Sequence, residues 1–344
     1  MDGFAVLASA TPGTFPIVGR IAAGAPASGS LAAGTVAGIS TGAAVPDGAD
    51  AVVPIENVVE TDGHVEIAAA VKTGAHVRPR GGDVVAGSVV VDAGVRLGAW
   101  HVGALGAAGV AEAECAVRPR VAVLATGSEL RAPGEDLEPG QIFESNRGML
   151  AALLGAAGAE VELLPTVPDD EEAHRDALAR GLDADVLVTT GGVSVGPHDL
   201  VRNIASELGV EEVLWGVAVK PGKPLSFGVR DRTLVFGLPG NPVSTLVGAL
   251  LFVSPAVLAL QGAADPGPRY EAARSSRPLA RNEHRDEFVR ARRRWEEDGV
   301  VVHPVAGQES HMIVRAAAAD ALVHVPRGSG EIPAGSAVRY LALA

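Results

Sequence analysis

The chain has a single cysteine, Cys115, which excludes an internal disulfide framework and a cysteine-based zinc site. That residue is predicted to pack as a small apolar side chain. Aromatic residues make up only 3% of the sequence, so the cores must be built from Val, Leu, Ile and Ala. Surplus positive charge is missing too: the net charge is -13, which argues against a general nucleic-acid binder, because neutralising phosphates needs an excess of Lys and Arg. No apolar run reads as long enough to cross a membrane, and the N-terminus has no basic stretch followed by a signal-like apolar block. The expectation is a cytoplasmic protein with no membrane partner. Lysine is nearly absent, with Arg carrying the positive charge; only Lys72, Lys220 and Lys223 occur. Two of them fall within Lys220-Pro-Gly-Lys223-Pro. A chain that otherwise chooses Arg places two compact ammonium groups there, which suits a site for one small anion. Two solvated loop lysines are the plainer alternative.

What is present is enough apolar material for several cores: 47% of the 344 residues are hydrophobic. Residues 1–90 read as a β-rich domain of short strands broken by Gly, Pro and Asp, including segments at 15–21, 34–39, 51–53 and 89–91. Residues 91–117 read as a connecting helical element. From 118 to 264 short apolar strands alternate with helices, which predicts a doubly wound, mostly parallel α/β domain. Residues 265–344, after Pro266-Gly-Pro268, return to β. Of the charge cluster Arg290 to Arg294, interrupted by Ala291, most is read as a solvated face.

The loops after the central α/β strands carry the information. They are Thr126-Gly127-Ser-Glu129, Thr190-Gly191-Gly192-Val-Ser194-Val-Gly196 with Asp199 beyond, and Gly237-Leu-Pro239-Gly240-Asn241-Pro-Val-Ser244. Glycine lets backbone approach a ligand closely, and N–H groups at a helix start suit an anion. Ligands of parallel sheets sit beyond the carboxyl ends of the strands. Neither the dinucleotide fingerprint nor the P-loop is present, so the expectation is a phosphorylated or anionic ligand of another kind. Gly192-Val-Ser194-Val-Gly196 also fits the nucleophile elbow of serine hydrolases, but Gly191-Gly192 loosens the strand-to-serine step and no oxyanion segment accompanies it. A second set comprises the loop-end carboxylates Asp2, Asp83, Glu129, Asp169 and Asp199, whose hard oxygens suit Mg²⁺ shared with substrate phosphates. Each has a structural alternative: Asp169 with Glu172 fits a capping box, Asp199 a helix N-cap, and Asp83 a turn.

Read together, these segments resemble the molybdopterin molybdenumtransferase family (MoeA and the gephyrin E-domain). The matching stretches are Met1-Asp-Gly-Phe-Ala-Val6, Ser40-Thr-Gly-Ala-Ala-Val-Pro46 through Val53, Arg80-Gly-Gly-Asp83 with Gly87, Val123 to Leu130, Gln141-Ile142 with Ser145-Asn146, and Val167-Pro-Asp-Asp170. They continue through Gly191 to Gly196 with Asp199, Lys220-Pro-Gly-Lys-Pro224 and Leu238 to Ser244, ending in a fainter Gly307-Gln-Glu-Ser-His311. They run in order along essentially the whole chain. The resemblance implies a transferase of molybdenum cofactor biosynthesis that takes molybdate and adenylylated molybdopterin, hydrolyses the adenylate with Mg²⁺, and releases AMP and the molybdenum cofactor. It implies functional roles for Asp2, Thr41, Asp83, Glu129, Asp169 and Asp199, with Glu129 and Asp199 toward the metal. It places Lys220, Lys223, Ser244, Arg290 and Ser310 at molybdate, and Thr126, Gly127, Gly191, Gly192, Ser194, Gly196, Pro239, Gly240 and Asn241 at the pterin adenylate. It further implies a homodimer, and admits the molybdopterin adenylyltransferase and apo-molybdoenzymes as partners. A pterin-binding scaffold without turnover is the alternative that the gephyrin likeness allows. Three departures stand out. The family usually has some tens of residues ahead of Met1-Asp2, so a weaker dimer is expected of this form; Ser128 stands where Asp is common; and Gly82 stands where Glu is frequent.

Overall fold

The computed structural model describes residues 2–25, 29–192 and 200–343, and divides into two compact units, Met1–Val90 and Val91–Ala344. The first unit is β. Strands β1 (Gly3–Val6), β2 (Gly13–Ile21), β3 (Val36–Ile39), β4 (Ala51–Pro54), β5 (Val59–Thr61) and β6 (His64–Ile67) form one sheet in the order β4-β1-β3-β2-β6-β5. Its core is Phe4, Val6, Phe15, Val36, Val53, Val65 and Ile67. Gly3 lies where no side chain fits, because a Cβ there would overlap the carbonyl of Val53 on the paired strand β4. The strand expected at 89–91 is absent; Val89 is exposed, and the stretch from 79 onward is turns.

The second unit opens with helix α1 (Ala99–Ala107), in which no residue is buried and Trp100 is 91% exposed. Then come β7 (Arg120–Ala125), β8 (Leu130–Arg131), β9 (Ile142–Phe143), α2 (Asn146–Ala156), β10 (Glu160–Leu163), α3 (Glu171–Gly181), β11 (Val186–Thr190) and α4 (Leu200–Glu207). They are followed by β12 (Glu211–Trp215), β13 (Val219–Lys220), β14 (Ser226–Arg230), β15 (Thr233–Leu238) and α5 (Pro242–Leu260). The sheet order is β10-β7-β11-β15-β14-β12, parallel through β15, with β14 and β12 antiparallel at one edge. Strand periodicity explains why both faces are covered. Val121, Val123, Val186, Val188, Phe236 and Leu238 pack with α2 and α5. The alternate residues Ala122, Leu124, Leu187 and Val235 pack with α3 and α4. Each fully buried Val or Leu contributes roughly 1.5–3 kcal/mol.

Two readings are corrected in this layer. Helix α5 has 19 residues and a mean hydropathy of 2.2, long and apolar enough to cross a membrane, contrary to the expectation that no run was. Its apolar residues are taken up by two cores: Ala249, Val253 and Val257 lie against the sheet, and Val243 and Val247 lie against the C-terminal β layer. Cys115 is exposed rather than packed.

The chain ends in strands β16 (Tyr270–Ser275), β17 (Leu279–Ala280), β18 (Asp286–Glu296) and β19 (Gly299–Pro304), the short helix α6 (Ile313–Ala316), and β20 (Ala321–Val325), β21 (Glu331–Ile332) and β22 (Ala337–Ala342). The main sheet runs β13-β18-β19-β16-β22-β20, with β18 also paired to β20. Strand β13 leaves the α/β region to pair in parallel with β18, Val219 against Asp286 and Lys220 against Glu287. An apolar seam of Val243, Val247, Phe288, Ala316, Leu322 and Leu341 ties α5 to this sheet. Strand pairing and seam together place the Lys220 loop, the start of α5 and the 307–310 segment.

The cap of α3 is Asp170, whose carboxylate accepts from the Ala173 N–H at 2.8 Å, not Asp169. Both aspartates precede Glu171-Glu172, and the phase of the helix selects the second. Replacing Asp170 with Ala should therefore cost about 1 kcal/mol of stability. Asp169→Ala should stay within about 0.5 kcal/mol. Urea midpoints of the two variants check this, and equal losses would contradict the assignment.

Candidate functional site

The parallel strands end in register: Thr190 of β11 pairs with Ala125 of β7 and with Leu238 of β15. The loops that follow therefore emerge side by side on the carboxyl edge, as the sequence predicts. They also touch. Gly240 packs on Gly191, and a Cβ at Gly191 would run into the carbonyl of Thr126. Gly191 has φ +90° and Gly192 φ +66°, so this turn is open to glycine on both steric and backbone grounds.

A buried polar clamp ties the second and third loops together. Asn146, at the start of α2, donates from Nδ2 to Thr190 Oγ1 at 2.8 Å and to the Gly240 carbonyl at 2.7 Å. Thr245 donates to the Pro239 carbonyl at 2.5 Å and lies within 3.4 Å of Thr190 Oγ1. Asn146 lies in a segment matched to the family and Thr190 opens the second loop, but the sequence assigns neither them nor Thr245 a clamping role. No periodicity marks such residues; only the spatial meeting of strand ends reveals them.

A fourth segment joins the edge. Thr126 bridges to Val167, and the Gly127 N–H donates to the Val167 carbonyl at 3.0 Å. This brings Asp169 beside Ser128: the Asp169 N–H donates to Ser128 Oγ at 2.9 Å and the Ser128 N–H reaches Asp169 Oδ2 at 3.3 Å. Glu129 folds its carboxylate back over Gly127. Thr126 Oγ1 is buried with no hydrogen-bond partner among the described residues, and it faces Gly191 and Gly192. The donors at this edge are all oxygens, from Glu129, Asp169, Ser128 and Thr126. Among the described residues no three His, Cys, Asp or Glu side chains converge on one point. Such a donor set fits Mg²⁺ held by one or two carboxylates and completed by substrate phosphate oxygens. Ser194, Gly196 and Asp199 lie outside the described residues.

In the first unit, antiparallel pairing of Gly3 with Ile39 sets Asp2 against the turn after β3. Its carboxylate accepts from the Thr41 N–H at 2.7 Å and from Thr41 Oγ1 at 2.9 Å. These two bonds, the backbone one first, hold the Asp2 carboxyl below the usual carboxylate range. A lowered carboxyl stabilises the fold above its unfolded value, and the contribution is lost as pH falls through the folded one. Thr41→Val removes one donor and should move the Asp2 titration upward, as read by NMR; an unmoved titration would show that the hydroxyl bond is not formed in solution. Asp83 is exposed in a turn-rich stretch.

The candidate anion residues fall into one neighbourhood of the second unit. Gly222, between the two lysines, backs onto the Ser244 carbonyl. The Val243 N–H donates to the Ser310 carbonyl and Asn241 Nδ2 to Ser310 Oγ, both at 3.0 Å. Ser244 is buried, Lys223 is exposed, and Lys220 is ion-paired with Glu287 at 3.0 Å. Arg290 departs from the solvated face read for its cluster. It is 1% exposed, and its guanidinium donates to the carbonyls of Gly307 and Glu309. Burial shifts its pKa downward, opposed by Glu309. The structure thus shows Arg290 holding the segment that presents Ser310.

A doubly wound sheet whose glycine-rich loops converge beside carboxylates defines a class: an α/β domain with a ligand site at the carboxyl edge of its strands. The comparisons narrow it. The MoeA N-terminal region (domain I and II) matches residues 1–109, a probable molybdopterin binding domain matches 122–259, and the MoeA C-terminal region (domain IV) matches 272–343. The chain is 37% identical to molybdopterin molybdenumtransferase 2 of Mycobacterium tuberculosis, over 98% of this chain and 86% of that protein. It is 33% identical to the molybdopterin molybdenumtransferase of Haemophilus influenzae, over 98% and 85%. A molybdopterin biosynthesis MoeA protein of Pyrococcus horikoshii superposes with a TM-score of 0.84 at 26% identity, covering 99% of this chain and 86% of that one. The chain belongs to the molybdopterin molybdenumtransferase family.

Proposed function

We propose that the chain transfers molybdenum from molybdate to adenylylated molybdopterin, cleaving the adenylate and releasing AMP. Family membership makes it a transferase of molybdenum cofactor biosynthesis. It also speaks against Ser194 as a hydrolase nucleophile, and AMP release separates turnover from a pterin-binding scaffold. The observation that carries the finer mechanism is the convergence of Thr126-Gly127, Gly191-Gly192 and Pro239-Gly240 on one sheet edge, with Glu129 and Asp169 beside them.

In this reading the loops bind the pterin adenylate through backbone N–H groups and the Thr126 hydroxyl, and Ser194 and Gly196 are assigned to the same ligand. Glu129 and Asp199 would hold Mg²⁺, which would supply positive charge against the anhydride oxygens. Asp169, Asp83, Asp2 and Thr41 serve the same reaction. Lys220, Lys223, Ser244 and Ser310 bind molybdate, a tetrahedral dianion that needs cationic and hydroxyl donors and no redox group. Arg290 acts there through the segment it holds. The four-part division at 90, 117 and 264, a homodimer, a cytoplasmic location, and contacts with the molybdopterin adenylyltransferase and apo-molybdoenzymes belong to the same proposal. Trp100 and Val102 stand exposed on α1, and exposed apolar side chains of this size support the dimer. Sedimentation of the wild-type chain against Trp100→Glu tests that part. The reaction is tested by incubating the full chain with adenylylated molybdopterin, molybdate and Mg²⁺ and following AMP. Mg²⁺-dependent release is expected; no release at any Mg²⁺ concentration would reject the mechanism.

A further inference from the structure

Charge in the lysine loop is not balanced as an open anion site would have it. Strands β13 and β18 pair so that Lys220 stands opposite Glu287, and the ammonium meets the Glu287 carboxylate at 3.0 Å. The Glu287 side chain is only 16% exposed, whereas Lys220 keeps 44% of its side chain open to solvent. The neighbouring charges are committed elsewhere. Successive side chains of a strand point to opposite faces. Asp286 accordingly accepts from the Arg327 N–H at 2.9 Å and meets His324 Nε2 at 3.1 Å. Arg290 is spent on the Gly307 and Glu309 carbonyls. Of the two lysines, Lys220 is the one ion-paired among the described residues, and Glu287 cancels its positive charge; Glu309, beside Ser310, adds a second negative group.

We propose that Glu287 is a positioning residue of the oxyanion site that also limits its affinity: it holds the Lys220 ammonium in place and opposes the incoming dianion. The inference rests on the assignment of Lys220 to molybdate. Two effects compete when the carboxylate is lost. Positioning worsens, which weakens binding, and repulsion of a doubly charged ligand vanishes, which strengthens it. Gln keeps an oxygen that can accept from the ammonium and removes only the charge. Repulsion between a carboxylate and a dianion a few ångströms away outweighs a half-exposed hydrogen bond. Glu287→Gln should therefore tighten molybdate binding about threefold to tenfold, an effect that shrinks as salt screens the charges. Glu287→Asp keeps the charge but shortens the reach to the ammonium, so it should bind molybdate no more tightly than the wild type.

The experiment titrates molybdate alone into the full chain by calorimetry at low and high salt, for wild type, Glu287→Gln, Glu287→Asp and Lys220→Ala. The AMP-release assay supplies KM for molybdate and kcat for the same proteins. Expected are a tighter, salt-sensitive Kd and a lower KM in Glu287→Gln, with kcat unchanged. If Lys220→Ala weakens binding but Glu287→Gln leaves it unchanged or weaker, the inference about Glu287 is overturned and the molybdate assignment stands. If Lys220→Ala binds molybdate normally, the assignment itself is overturned, and the role of Glu287 with it.

Discussion

Glu129→Gln is expected to slow AMP release by about a hundredfold while the melting temperature stays where it is. The magnitude is set by analogy with losing one group that stabilises developing charge, here acting through Mg²⁺, about 10²–10³ in rate. The unchanged stability follows from the geometry. Glu129 is exposed, and its carboxylate lies over Gly127 of its own loop rather than in a core. Surface substitutions of this kind stay within about 0.5 kcal/mol. Asp199→Asn should act in the same direction. Parallel measurement of AMP release and thermal melting separates a role in the reaction from a structural one. Normal turnover in Glu129→Gln would remove that residue from the reaction.

Lys220→Ala should raise the half-saturating molybdate concentration by about tenfold or more, with binding of the adenylylated pterin unaffected. Tenfold corresponds to about 1.4 kcal/mol. That is modest for an ammonium beside a dianion at an effective surface dielectric, where each pair of unit charges at 4 Å is worth about 4 kcal/mol. The discount is appropriate because the group is partly solvated and already paired with Glu287. Lys220→Arg should recover only part of the loss, since a planar fork does not reproduce a compact point charge. Saturation curves for molybdate at fixed pterin adenylate read both effects, and unchanged curves would show that the anion binds elsewhere.

Much of this architecture was legible from residue order. Val121 to Ala125 and Val186 to Val188 are apolar runs that pass through threonine to glycine, and buried parallel strands followed by ligand loops have that pattern. Roles for Asp2 and Thr41 were implied only by the family resemblance, and the register of β1 on β3 shows why the two side chains meet. What escaped depended on phase and on long-range contact. Asp169 and Asp170 differ by one position, which sequence patterns do not resolve but a helix does. Arg290 sits in a run of arginines that reads as solvated, yet β18 is covered on both faces at Phe288–Ala291. Asn146 and Glu287 act across 44 and 67 residues respectively, on Thr190 and Lys220 (190 − 146 and 287 − 220), and nothing local announces them. Helix α5 is apolar around most of its circumference because it serves two cores, and by composition alone that is indistinguishable from a membrane span.

The central claim is that adenylate cleavage and molybdenum insertion are one coupled reaction of this chain. The most direct measurement counts both products in the same tube: AMP by chromatography, and molybdenum bound to the released pterin by elemental analysis, at saturating molybdate and Mg²⁺. The account predicts that the two rise together in a ratio of about one, the stoichiometry of a single transfer step, and that both fall in parallel when Glu129 is replaced by Gln. Molybdenum-bearing pterin formed without AMP, or AMP released in full while the pterin stays free of molybdenum, would contradict it.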